Sequence, residues 1–385
     1  MKIGVDLTFI NAGEINGGEL HNGITISTAY VLMGIQKMGR SKDIVLIIRE
    51  PARKVIEKYL PDYKKLVVGK AFDTIFYLSK RKTMVTGLHH SSYLFAREIK
   101  KMNFDFIWYP YYTPEFANRY LNVRSVYTIN DLIPLHNTTK INWKKKRVSI
   151  FKKRLVENCK IVTISNYVKK DVNSLIGIPL DEIDVVNDPI IPDYEMQKKP
   201  DWLDFEYILD INAYSGYKNT ITLIKAFRRL KNTDLHLVCT GAWIEGDYLD
   251  KLKEYVAKHN LEEKVHLLYR IPGEEKNYLF MHAKLFVSPS MDEGFGLTPV
   301  EAAICKIPVL TTKEASLYEA TRGLVHYYDK PKDYLELADK ISSIIEKTDS
   351  IDELESISKK LKEAYSIDNS AKGYWKIFRG ITRKG

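Results

Sequence analysis

The chain has 385 residues, 45% hydrophobic and 28% charged, with three cysteines and a formal net charge of +10. That length exceeds what one domain usually holds and supplies ample core material, so neither disulfides nor a structural metal is needed to stabilise it. Cys159, Cys239 and Cys305 are odd in number, far apart and without a C-x-x-C pair, which excludes zinc ribbons and dithiol redox chemistry and predicts buried free thiols.

The opening Met1-Lys-Ile-Gly-Val-Asp6 places a charge inside its apolar stretch, so it reads as a first strand and not as a signal peptide. No run of about 18 uncharged apolar residues follows, so no membrane span is predicted and the expected location is cytoplasmic. The charge is uneven. Residues 1–200 hold 32 Lys and Arg against 20 Asp and Glu, whereas 201–385 hold 27 against 29. An excess in one half suggests an anionic partner for that half, or simply a solvated basic surface.

In chain order, β-branched and aromatic runs predict strands at 2–7, 43–48, 104–109, 124–129, 160–164 and 183–186. Helical periodicity lies between several of them, as at 23–38 and 144–158. Residues 187–200, rich in proline and charge and without periodicity, read as a linker. A second series of strands is predicted at 206–211, 235–240, 265–269, 284–288 and 308–311, again with helices between. Alternating strands and helices imply parallel sheets. The expected architecture is therefore α/β, with two Rossmann-like doubly wound domains at 1–190 and 200–366 facing a cleft. Ligands of such sheets sit at the carboxyl ends of the strands. The closing stretch 368–383 has helical spacing, with Tyr374, Trp375, Ile377, Phe378 and Ile381 available for burial, and is expected to pack back toward the first domain.

The strongest chemical signal is Ser290-Met-Asp-Glu293-Gly-Phe-Gly-Leu-Thr-Pro-Val-Glu301, which reads as strand, glycine turn and helix. Thr298 fits an N-cap, Pro299 the first helical position and Glu301 the third, the pattern of a capping box. A glycine turn against a helix N-terminus favours a phosphate. Glu301 is explained by capping alone. Glu293 precedes the turn, at a strand's carboxyl end, and has no such structural reason.

These residues resemble the glutamate–seven–glutamate signature of retaining glycosyltransferases of family 4, which have the GT-B fold. Further segments share the resemblance: Lys218-Asn219 with the helix pattern after it, the turn 163–171, the segment 127–134 and the segment Glu314–Glu319. The resemblance implies that Glu293 holds hydroxyls of the donor sugar and Glu301 the ribose hydroxyls. It also implies that backbone groups of Gly294, Phe295, Gly296, Leu297 and Thr298 contact sugar and phosphate, and that Lys218 neutralises the departing diphosphate. Asn130 and Asp131 occupy the family's histidine–aspartate positions. Gly17, Gly18 and Gly23 resemble its glycine loop near the diphosphate. Two departures stand out. The family's diphosphate arginine falls on Asn212 or Ala213, with Arg270, followed by Ile271, as the expected substitute on the donor. The family's histidine is Asn130, and by the resemblance this change implies a different donor, such as a deoxy sugar.

The implied activity moves a sugar from a nucleoside diphosphate sugar to a hydroxyl of a glycan or polyprenyl-linked acceptor, with retention of configuration, in cell-surface polysaccharide biosynthesis. No metal or other cofactor is expected, since no Asp-x-Asp occurs, and no nucleic acid partner is expected. The basic helix pattern at 144–155, with Val148, Phe151 and Leu155 on one face, reads either as an amphipathic core helix with a basic outside or as peripheral docking on an anionic inner membrane face. His89-His90 is assigned no role. The alternatives are an epimerase with the same fold, for which no acid–base residues are evident, and a non-catalytic protein that binds nucleotide sugars or other anions.

Overall fold

A computed structural model describes residues 1–10, 20, 23–69, 93–111, 121–136, 145, 148–149, 159–191, 196–230, 234–347 and 349–382. The chain divides into two compact units, Met1–Pro189 with Ile367–Gly385, and Ile190–Ser366. Gly17, Gly18, His89-His90 and most of the basic helix pattern at 144–158 lie outside the described residues.

The first unit carries a seven-stranded parallel sheet: β1 (Ile3–Asp6), β2 (Ile44–Ile48), β3 (Lys64–Val67), β4 (Phe106–Tyr109), β5 (Ser125–Ile129), β6 (Cys159–Thr163) and β7 (Ile183–Val185). The spatial order is β3-β2-β1-β4-β5-β6-β7. β1, β2, β4 and β5 are buried along their whole length, as strands covered by helices on both faces must be. Among its helices are α1 (Gly23–Lys37), α2 (Arg53–Tyr59), α3 (Tyr93–Lys100) and α4 (Asn166–Asp171), the last capped by the Ser165 hydroxyl on the Val168 N–H.

The second unit repeats the scheme: β8 (Tyr207–Ile211), α5 (Thr220–Phe227), β9 (His236–Gly241), α6 (Tyr248–Lys258), β10 (Val265–Tyr269), α7 (Gly273–His282), β11 (Leu285–Ser288), α8 (Leu297–Ile304), β12 (Val309–Thr312), β13 (His326–Tyr328), α9 (Tyr334–Lys347) and α10 (Ile351–Ala364). Its order, β10-β9-β8-β11-β12-β13, places the reversal of winding between β8 and β11. In an open parallel sheet that reversal opens a crevice at the strands' carboxyl ends.

Sequence patterning missed two strands, β3 and β13. Both are edge strands, and neither is buried along its whole length. Short, partly exposed edges lack the continuous apolar signal of central strands. The buried-thiol expectation holds for Cys239 and Cys305, whereas Cys159 is only half-buried.

The C-terminal helix α11 (Ile367–Thr382) belongs to the first unit. Tyr374, Trp375 and Phe378 are buried, and Ile377 and Ile381 pack on the same core. Trp108 of β4 donates to the Thr128 hydroxyl (2.9 Å), which bonds the Tyr374 hydroxyl (3.0 Å), so a polar chain pins the helix inside an apolar contact. The close seat against α1 requires Gly34. A Cβ there would lie 2.5 Å from Ile367 Cγ2 and 2.6 Å from Ala371 Cβ. Gly34→Ala is therefore expected to cost about 2 kcal/mol by overpacking, despite alanine's better helix propensity. Urea unfolding of the variant checks this, and a gain in stability would show that α1 and α11 can separate freely.

Candidate functional site

The site is built on the β8–β11 reversal of the second unit. Two segments leave the carboxyl ends there: 212–219 after β8, and 289–296 after β11. Tyr214 anchors the first. Its ring is buried, and its hydroxyl reaches the carbonyls of Cys239 and Leu268 at 2.8 Å each. Gly241 lets the chain pass, because a Cβ there would meet the Asn212 carbonyl oxygen at 2.1 Å. Asn219 then adopts a left-handed conformation (φ 59°) as N-cap of α5. Its amide nitrogen donates to the carbonyls of Pro289 (3.2 Å) and Pro331 (2.7 Å), while its side-chain oxygen accepts from Thr222 (2.7 Å). The Met291 N–H donates to Tyr217 O at 2.8 Å and joins the two segments.

These bonds bring Lys218 and Glu293 together. The Lys218 ammonium donates to Glu293 Oε1 at 2.5 Å, and the two side chains are only 12% and 11% exposed. Burial alone would lower the lysine's proton affinity. The Glu293 carboxylate, with smaller help from Tyr217 and Asp210, outweighs this and holds Lys218 above its ordinary value. Lys218 is therefore charged throughout the neutral range.

A hydroxyl clamp fixes Glu293 from the far side. Thr311 donates to Ser288 O (2.9 Å) and Thr312 to Ser290 O (2.7 Å), while the buried Ser316 hydroxyl reaches the carbonyls of Glu293 (2.9 Å) and Phe295 (2.8 Å). The Phe295 ring turns into the core edge-on to Tyr365, with centroids 5.2 Å apart. Only its backbone is left to meet a ligand.

The expected capping box is not formed. α8 begins at Leu297, with Gly296 as N-cap at φ 100° and no side-chain cap bond. A left-handed glycine turns the chain into the helix earlier than the Thr-Pro pair would. Thr298 consequently lies inside the first turn, and Pro299 sits where a missing N–H costs nothing. The left-handed φ of 100° strains any side chain at this corner, and a Cβ on Gly296 would also press on Leu317 Cδ2 at 2.8 Å. Glu301 is thereby released from a capping role. It lies part-exposed, 4.0 Å from Lys276 Nζ.

At the family's arginine position, Asn212 is buried and turned inward, its amide bonded to Asp210 Oδ1 at 2.5 Å. Asp210 is the functional candidate that sequence reasoning missed, although a carboxylate inside Tyr-Ile-Leu-Asp-Ile was a visible signal of a buried charge. Arg270, exposed at the end of β10 with φ 52°, lies over the Tyr269 ring (5.3 Å) and reaches Ala242 O at 3.4 Å. β9 stands between it and β8, and half-buried Ile271 follows it.

The remaining expected residues belong to the first unit. Asn130 is buried and donates to Pro110 O (3.1 Å), and Asp131 Oδ1 accepts the Ile133 N–H (3.1 Å) to start a short turn of helix. Gly23 is the first residue of α1.

Residues 194–363, all within the second unit, match the family model described as glycosyl transferases group 1. The chain is 29% identical over 184 residues to O-antigen chain mannosyltransferase RfbU of Salmonella typhimurium, covering 47% of this chain and 50% of that protein. It is 28% identical over 237 residues to O-antigen chain mannosyltransferase B of Escherichia coli, covering 57% of this chain and 62% of that one. The chain thus spans between half and two thirds of these relatives. Among solved structures, Anabaena Alr3699/HepE in complex with UDP and glucose superposes with a TM-score of 0.73 at 14% identity, covering 99% of this chain and 100% of that one. A glycosyltransferase from Rickettsia africae gives 0.71 at 17% identity, over 100% and 99%. The family match lies within the second unit, and the structural neighbours share the GT-B fold of two Rossmann-like sheets.

Proposed function

We propose that the second unit binds a nucleoside diphosphate sugar and that the protein transfers the sugar to a hydroxyl of a glycan or polyprenyl-linked acceptor, with retention of configuration. The observation that carries this reading is the buried Lys218–Glu293 pair at the β8–β11 reversal. A nucleoside diphosphate leaves readily only if its developing charge meets fixed positive groups. Lys218 supplies one, and the N-terminal end of α8 adds the partial positive charge of a helix start. In the absence of donor, Lys218 and Glu293 neutralise each other. On donor binding the lysine exchanges its carboxylate partner for the diphosphate, and Glu293 turns to hydroxyls of the sugar. Glu301, free of capping, is assigned to the ribose hydroxyls.

The departing phosphate takes up the proton of the incoming hydroxyl, and no cofactor enters the scheme. The mannosyltransferase names of the relatives support a hexosyl donor. The asparagine at position 130 keeps a deoxy sugar in view, although its amide nitrogen is engaged by Pro110. The basic excess of residues 1–200 supports peripheral docking on an anionic inner membrane face.

A panel of UDP, GDP and dTDP sugars, including 6-deoxy sugars, tests the reading through nucleotide release and the anomeric configuration of the product by NMR. One donor class turned over with retention is expected. Tight nucleotide binding without release from any donor would instead identify a non-catalytic binder. Flotation of the full chain with vesicles tests the docking clause, and equal binding to neutral and anionic vesicles would remove it.

A further inference from the structure

Asp210 and Asp292 are buried ionisable groups of the site that the proposed transfer leaves unused. Asp210, the fourth residue of β8, is 1% exposed, yet both oxygens of its carboxyl are engaged. Oδ1 accepts from the Asn212 amide at 2.5 Å, and Oδ2 from the Thr220 hydroxyl at 3.2 Å. Asn212 and Thr220 flank the Lys218 turn on its two sides, and the Asn212 amide also reaches the Ser288 hydroxyl, at the end of β11, at 3.4 Å. One carboxyl thus ties β8, the start of α5 and the end of β11 together beneath the Lys218–Glu293 pair.

Resting on the donor-site reading just given, we propose that Asp210 is a positioning residue for the donor diphosphate, fixing both flanks of the Lys218 turn and taking up a proton when the nucleotide binds. The hydrogen bonds permit both protonation states. The Asn212 amide donates to Oδ1 in either state. The Thr220 hydroxyl can rotate from donating to an ionised Oδ2 to accepting from a protonated one. Burial pushes the Asp210 carboxyl up to about 7, opposed by the bonds from Asn212 and Thr220 and by the Lys218 charge, and aided by the Glu293 charge.

The other titratable groups that act on Asp210, or on which it acts, are Tyr214, Cys239, Tyr248 and Tyr328. Burial raises all four, so they stay neutral near pH 7. Lys218 stays charged in that window, held above its ordinary value by the Glu293 carboxylate. A diphosphate arriving at Lys218 adds negative charge beside Asp210 and therefore favours its protonated form. Linkage fixes the sign: nucleotide affinity is higher below the Asp210 midpoint and falls as pH rises through it.

The test is calorimetric titration of the full chain with UDP and GDP from pH 5.5 to 8.5, for wild type, Asp210→Asn and Thr220→Val. The free nucleotide's own ionisation is common to all three proteins, so the ratio to Asp210→Asn isolates the residue. Relative to that variant, wild-type affinity is expected to fall about tenfold between the acid and alkaline ends, the equivalent of a one-unit displacement of the midpoint by nucleotide. Excess proton uptake in wild type, measured in buffers of different ionisation enthalpy, should vanish in Asp210→Asn. Thr220→Val removes a donor to the ionised carboxyl and should move the midpoint to higher pH, which gives a reading even if Asp210→Asn folds poorly. A pH-independent ratio, or an unmoved midpoint in Thr220→Val, overturns the proposal alone. No nucleotide binding by any of the three proteins at any pH overturns the donor-site reading and this proposal with it.

Discussion

Replacing Glu293 with glutamine is expected to lower kcat by about two to three orders of magnitude, the loss typical of removing one preorganised polar group aimed at a transition state. The Michaelis constant for the donor should change far less, because the contact made by Glu293 is to the sugar and Lys218 remains for the diphosphate. The structure adds a second consequence that the sequence did not suggest. Glu293 is the buried partner of Lys218, so its loss also removes the compensation of a buried ammonium. Breaking such a pair from one side costs about 3–5 kcal/mol when nothing replaces the lost group. Glutamine, which still offers an oxygen to the lysine, should cost less than alanine.

A bound nucleotide restores the missing negative charge. The rise in Tm that UDP or GDP produces at saturation should therefore be larger for Glu293→Gln than for wild type, in which the nucleotide must first take Lys218 from Glu293. Thermal melts with and without nucleotide, beside steady-state kinetics, check both parts. Unchanged kcat would remove Glu293 from the chemistry, and a smaller nucleotide-induced rise would mean that Lys218 does not exchange partners.

How the site could be read from sequence depended on what each residue's signal was. The central strands declared themselves through long apolar runs, and the C-terminal helix through its large apolar residues, because burial on both sides leaves no other composition. Glu293 was legible for the opposite reason: a carboxylate at the end of a strand and before a glycine turn has little structural purpose. The capping box misled because Ser/Thr-Pro-x-Glu is a local pattern, whereas the helix start was decided by a tertiary fact, the fit of Gly296 under Leu317. The clamp from Ser316 was invisible because it joins segments separated by a strand and a helix. Asn212 looked like the loss of an arginine. With Asp210 beside it, the substitution becomes one half of a buried pair whose second member is two residues away.

Lys218→Met is expected to weaken UDP or GDP binding by roughly one to two orders of magnitude, the range for one hydrogen bond to a charged group, and to lower kcat by a further large factor. It strands the Glu293 carboxylate in a site that is 11% exposed, so it should also destabilise the second unit by about 3–5 kcal/mol. Combining it with Glu293→Gln separates the two roles of the pair. If the residues act as a unit, the double variant carries no buried unpaired charge. Its stability loss in urea should then fall short of the sum of the single losses by about 0.5–3 kcal/mol. Activity should show the same non-additivity, since a second removal takes little from a site already without its diphosphate cation. Stability and activity need not recover together: the double variant is expected to be the better folded protein and still an inactive one. Additive losses in stability would mean that Lys218 and Glu293 are held in place independently, and that the ion pair at the sheet's reversal is a consequence of the fold and not its brace.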